Sequence, residues 1–155
     1  MRDDSDVRYQ VRSTPEISAE VRNSGPAGST APRLLAVDDV ADSAELVARI
    51  AQRCGFESRF TCDPTAVEGL IQDWHPCVVV TDISMPGMDA IELVRVLKHA
   101  EFGGELLIVS GLEPWMLEQA GKLATMRGLT VRAKLRKPLD ARALRGHLTE
   151  AQVPA

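Results

Sequence analysis

From position 33 onward, short aliphatic runs alternate with stretches in which apolar side chains return every three or four residues. Unbroken runs of this kind mark strands buried on both faces, and the three-to-four spacing marks amphipathic helices. The pattern predicts strands at 34–37, 56–61, 77–81, 106–109 and 129–135, with helices at 42–54, 64–74, 89–100, 114–127 and 140–151. In the first helix Ala44, Val47, Ala51 and Cys54 form one apolar stripe. Asp63-Pro64 reads as a helix cap followed by a first-turn proline, and Glu113-Pro114 reads the same way. Gly55, Gly104 and Gly128 each fall just before a strand, where a helix exit needs a left-handed residue or a turn. Five strands alternating with five helices require right-handed crossovers, so the fold class is a doubly wound α/β domain on a parallel sheet.

Composition sharpens this picture. Aromatics make up 4% of the 155 residues and hydrophobics 45%, so the core is built from Val, Leu, Ile and Ala. Residues 1–31 differ: they are rich in Ser, Asp, Arg, Gly and Pro, with apolar side chains too sparse to offset the entropy of ordering. They are expected to form a disordered tail, with a docking arm as the alternative, before a folded domain at 32–152 and a short tail at 153–155. A net charge of -4 argues against DNA as a ligand. Cys54, Cys62 and Cys77 show no CxxC spacing and read as buried thiols in a reducing compartment. The longest aliphatic runs, of about four residues, fall far short of the roughly 18 that a membrane span needs. The N-terminus, Met1-Arg2-Asp3-Asp4, has no apolar signal core. No membrane association and a cytoplasmic location are the expectation.

Ligands of open parallel sheets bind beyond the carboxyl ends of the strands. At those ends lie Asp38-Asp39 after the first strand, Asp82 at the third, Ser110 at the fourth, and Lys137-Pro138 after the fifth. Three crowded carboxylates repel one another, and a hard divalent cation such as magnesium resolves the conflict with oxygen ligands. Asp82 is then a candidate nucleophile toward phosphorus, with Ser110 and Lys137 as candidate partners for phosphoryl oxygens. His75, His99 and His147 stand apart from this set, and Trp74 and Trp115 read as helix packing or partly exposed.

The strings Leu34-Leu35-Ala36-Val37-Asp38-Asp39, Val78-Val79-Val80-Thr81-Asp82-Ile83-Ser84-Met85-Pro86-Gly87-Met88-Asp89, Ile108-Val109-Ser110-Gly111 and Leu135-Arg136-Lys137-Pro138 together resemble the receiver domain of two-component response regulators. The resemblance runs from about residue 33 to 150 and implies a flavodoxin-like, CheY-like sheet of order 2-1-3-4-5. It implies Asp82 as phosphoacceptor, with Ser110 as switch hydroxyl and Lys137 as the phosphate-pairing lysine. Asp39 would touch Mg2+ directly and Asp38 through water, joined by Asp82 and the backbone carbonyl of Ser84. The Lys137-Pro138 bond is commonly cis in the family. The donor would be a histidine kinase or a histidine phosphotransfer protein.

Two positions depart from the family pattern. Lys134 stands where a switch Tyr or Phe is usual, three residues before Lys137, and Gly111 stands where Ala is usual. Val131, Ala133 and Leu135 alternate with Arg132, Lys134 and Arg136, and Arg142 and Arg145 follow. This basic strip is either an edge protected against aggregation or a contact for an acidic partner or a homodimer, through the fourth helix, fifth strand and fifth helix. With 18 residues after Lys137, a stand-alone receiver acting on a downstream protein is expected. It would not be an enzyme beyond promoting its own phosphorylation and dephosphorylation. A dehalogenase-type phosphatase would need an acid at the position of Ser84. The remaining alternative is a phosphorylation-independent, receiver-like binding module.

Overall fold

The computed structural model describes residues 31–152, so the expected 1–31 tail, all but its last residue, and the tail at 153–155 lie outside the described residues. The elements in order are β1 (Arg33–Val37), α1 (Ala41–Arg53), β2 (Glu57–Thr61), a 3-10 turn (Pro64–Ala66), α2 (Val67–Trp74) and β3 (Val78–Asp82). They continue with α3 (Ala90–His99), β4 (Glu105–Ser110), α4 (Pro114–Met126), β5 (Thr130–Arg136) and α5 (Ala141–Gln152). All strands are parallel, in the order β2-β1-β3-β4-β5, the expected 2-1-3-4-5 arrangement.

Alternate residues of the central strands feed two separate cores. Leu35, Val37, Val79, Leu106 and Ile108 pack with α2, α3 and α4. Leu34, Ala36, Val78, Val80, Leu107 and Val109 pack with α1 and α5, against Leu144 and Leu148. Both sheet faces are covered, which is why β1, β3 and β4 read as unbroken aliphatic runs. Truncating a fully buried leucine such as Leu97 or Leu106 to Ala would cost about 2–5 kcal/mol.

The local signals fare unequally. Asp63 caps the 3-10 turn, its Oδ1 accepting the Thr65 amide at 2.9 Å, and Asp89 caps α3 by accepting from Glu92 N at 2.9 Å. Glu113 makes no side-chain cap on α4; its backbone carbonyl takes the amides of Met116 and Leu117 instead. Gly104 is required by a close approach and not by a left-handed exit: a Cβ there would lie 2.1 Å from the Cys77 carbonyl oxygen. The left-handed residue after α3 is Glu101, at φ 59°.

Two expectations need correction. The alternation along β5 is broken by a bulge: Leu106 faces Val131, but Leu107 faces Ala133, leaving Arg132 as the extra residue. Val131 therefore joins the α2-α3-α4 core, while Ala133 and Leu135 join the other. The cysteines form no disulfide, but Cys54 and Cys62 are only half-buried and Cys77, just before β3 at the sheet's rim, is exposed. Trp74 is buried, with the guanidinium groups of Arg33 and Arg59 5.7 and 4.6 Å from its ring centre, whereas Trp115 is exposed. No helix among the described residues is long and apolar enough to cross a membrane.

Candidate functional site

The strand ends converge as the parallel topology requires. Asp82 is the last residue of β3 and 4% exposed; Asp38 follows β1 and is 6% exposed; Asp39 beside it is open to solvent. One carboxylate oxygen from each of the three lies within 4.8 Å of the others. Lys137, one residue past β5, places its Nζ 2.9 Å from Asp38 Oδ2 and 3.0 Å from Asp82 Oδ2. Its backbone amide donates to the Ser110 carbonyl at 3.0 Å, tying the lysine to the end of β4. The Lys137-Pro138 peptide is cis.

The oxygens of the two buried aspartates have separate duties. Asp38 Oδ1 accepts the Val40 amide at 3.0 Å, holding the entry to α1, and its Oδ2 faces Lys137. Asp82 Oδ1 accepts both the amide of Ser84 at 2.9 Å and its hydroxyl at 3.0 Å. The family resemblance assigns Ser84 only a backbone carbonyl role, whereas the structure adds these two donors. An aspartate bonding the amide two residues on is an Asx turn, and that spacing was the available signal. Ser110 is fully buried at the adjacent strand end, where its Oγ accepts the Leu112 amide at 3.1 Å rather than touching the carboxylates. A Cβ on Gly111 would meet nothing within 4 Å, so the loop above Ser110 is roomy.

Electrostatics fix the charge states. Burial pushes the Asp82 carboxyl up, but the Ser84 amide, Lys137 and the Ser84 hydroxyl outweigh it and hold the group below its ordinary 3.8. Burial likewise pulls the Lys137 ammonium down, while Asp38 and Asp82 more than reverse this and raise it above 10.5. Both groups are charged at neutral pH. Three carboxylates around one ammonium leave surplus negative charge in a pocket of oxygen donors. That donor set suits a hard cation of the magnesium type. A cleft of about 330 Å³, lined by Asp38, Ser43, Val47, Asp82 and Lys137 among others, opens beside it.

Away from this cluster, Lys134 is exposed and lies on α4: its stem crosses Gly121, and its ammonium is 3.2 Å from the Glu118 carboxylate. The basic strip is less free than its sequence suggests. Arg132 is held by Glu105, with one bond of 2.8 Å, and lies 3.5 Å from Glu150. His99 pairs with Glu68, linking α3 to α2, and no histidine belongs to the three-carboxylate group.

Comparison with known proteins agrees with this geometry. A response regulator from Colwellia psychrerythraea is 27% identical, with a TM-score of 0.67, over 77% of this chain and 94% of that one. The signal receiver domain from Bermanella marisrubri, at 23% identity and a TM-score of 0.65 over 78% of this chain and 98% of that one, shares the fold. The DNA-binding response regulator MtrA of Mycobacterium tuberculosis (strain ATCC 25618 / H37Rv) is 33% identical over 66 residues, 43% of this chain. The match spans 29% of that relative's length. The response regulator receiver domain model matches residues 34–149. With its sheet order and its strand-end carboxylates in place, the chain belongs to the response regulator receiver domain family.

Proposed function

We propose that Asp82 accepts a phosphoryl group from the phosphohistidine of a histidine kinase or histidine phosphotransfer protein. The observation that carries this is the Lys137 ammonium, poised at 3.0 Å on a carboxylate oxygen of Asp82 that burial has stripped of most water. An oxygen of Asp82 forms the new P–O bond as the P–N bond of the donor breaks, and the donor imidazole leaves with the electron pair. Lys137 then follows the negative charge from the carboxylate to a phosphoryl oxygen. Ser110 exchanges its bond with the Leu112 amide for one donated to another phosphoryl oxygen. Asp38, Asp39, Asp82 and the Ser84 carbonyl would hold a magnesium ion, which neutralises phosphoryl charge when bound.

The output is a protein contact made by this receiver domain, through the α4-β5-α5 face, to a downstream target or a second copy. No DNA contact is part of this reading. The cytoplasm is its place, in keeping with three cysteines outside any disulfide. Apart from its own phosphorylation and dephosphorylation it catalyses nothing. One observation favours a second reading, a module that binds without phosphorylation. Lys134 is anchored outward to Glu118 where an aromatic switch is usual in the family.

Incubation with acetyl phosphate and magnesium separates the two. The first reading expects a gain of about 80 Da, labile to hydroxylamine and lost in Asp82→Asn. An unlabelled wild-type protein that still binds its partner supports the second.

A further inference from the structure

Between α4 and β5 runs a groove of about 400 Å³, lined by Lys122, Thr125, Met126, Val131, Ala133 and Lys134 among others. Strand β5 ends the sheet, so its outer edge pairs with no other strand among the described residues. Met126 on the groove's rim is 82% exposed, and Trp115, earlier on the same helix, is 65% exposed. The cations around it are unequal. Arg132 is taken by Glu105 and Glu150, but Lys122 and Arg136 make no ion pair with another described residue. Lys134 holds a single carboxylate, Glu118, whose side chain is half in solvent.

This last contact is the informative one. The Lys134 stem lies directly over the bare backbone at Gly121; a Cβ there would come within 2.6 Å of Lys134 Cδ and push the stem aside. The ammonium is thereby held at the groove, facing a carboxylate. We infer that the α4-β5 groove docks an acidic segment of a partner protein bearing apolar anchors, and that Glu118 is the internal competitor which that segment displaces from Lys134. Lys122 and Lys134 receive the partner's carboxylates, while Val131 and Met126 receive its apolar side chains. A phosphate backbone fits less well, because it brings no apolar side chains to Val131, Ala133 and the exposed Met126. The inference rests on the part of the proposed function that routes output through protein contact. It does not depend on the chemistry at Asp82.

The test starts from a random 16-residue phage-displayed peptide library selected on the wild-type chain. Synthetic copies of the selected peptides are then titrated with amide-shift mapping. Expected are binders enriched in Asp and Glu, with shifts at Gly121–Met126 and Val131–Lys134. Affinity should fall several-fold between low and high salt. Lys134→Ala should weaken binding about fivefold and Glu118→Gln should strengthen it about threefold, as expected for loss or release of one exposed charge contact. Melting curves check that each variant is folded, and acetyl phosphate labelling of Asp82 in both reports separately on the phosphoacceptor reading. The inference is overturned by neutral or basic binders, by no binders, by shifts elsewhere, or by a Glu118→Gln variant that binds no better. It is equally overturned if sedimentation shows a dimer covering the groove, or if a DNA duplex produces the groove shifts.

Discussion

Lys137 Nζ lies 3.0 Å from Asp82 Oδ2 although 55 positions separate the two residues in the chain. Two crossovers, through α3 and α4, bring them to the carboxyl ends of β3 and β5, on either side of β4, and the same ammonium reaches Asp38 at 2.9 Å. One cation thus holds two buried carboxylates that would otherwise repel each other.

Lys137→Met should therefore destabilise the metal-free protein by about 1–3 kcal/mol, since buried Asp38 and Asp82 lose their common partner. Magnesium should recover much of the loss. Urea unfolding with and without magnesium measures both effects, and unchanged stability in the absence of metal would falsify the account.

The pH dependence follows from the direction of the Asp82 displacement. Its native pKa is depressed below 3.8, so its contribution is present above that value and is lost as pH falls through the native one. The stability gap between wild type and Asp82→Asn should accordingly hold above about pH 5 and narrow as pH falls below 3.8. Lys137 runs the opposite way: raised above 10.5, it contributes fully below that value and loses its contribution as pH rises through the native one. A gap that widens on acidification contradicts the assignment.

The adjacent acids Asp38 and Asp39 should separate cleanly. Asp38 bonds Lys137 and the Val40 amide, so Asp38→Ala costs about 1–2 kcal/mol without metal. Asp39 is exposed, and Asp39→Ala should stay within about 0.5 kcal/mol of wild type. Magnesium affinity should show the reverse ranking, with the larger loss at Asp39. Equal effects in both assays would mean that the two are not divided into a structural and a metal-facing acid.

Two adjacent glycines offer a test of packing alone. A Cβ at Gly104 would meet the Cys77 carbonyl at 2.1 Å, whereas one at Gly103 would meet nothing within 4 Å. Gly104→Ala should cost about 1–3 kcal/mol through a forced backbone shift, and Gly103→Ala should be near neutral. Thermal unfolding of the pair decides it.

The fold was legible because burial on both faces writes parallel strands as aliphatic runs, as at Val78–Asp82. The strand-end residues followed from the rule that places ligands there, and Asp38, Asp39, Asp82 and Lys137 do meet. What stayed hidden depends on register and on partners distant in sequence. Arg132 reads as a free cation until Glu105, 27 positions away, is laid beside it. Lys134 gains its meaning from Glu118 and from the missing side chain at Gly121. Cys77 reads as buried because it borders an aliphatic run, yet it sits at the rim where that run begins.

The bulge at Arg132 sets the phase of everything downstream on β5. Side chains on a strand alternate strictly, so one extra residue exchanges the two faces for all positions beyond it. With Arg132 present, Lys134 shares a face with Ile108 and meets α4, while Leu135 enters the core beneath α1 and α5. Straightening the strand with Arg132 retained and Lys137 still anchored to Ser110 would put Arg132 opposite Leu106 and turn Val131 from the α4 side to the opposite core. Deleting Arg132 would instead leave Val131 opposite Leu106. Redesign of this edge should therefore treat 129–131 and 133–136 as two strands in opposite phase, joined at one arginine.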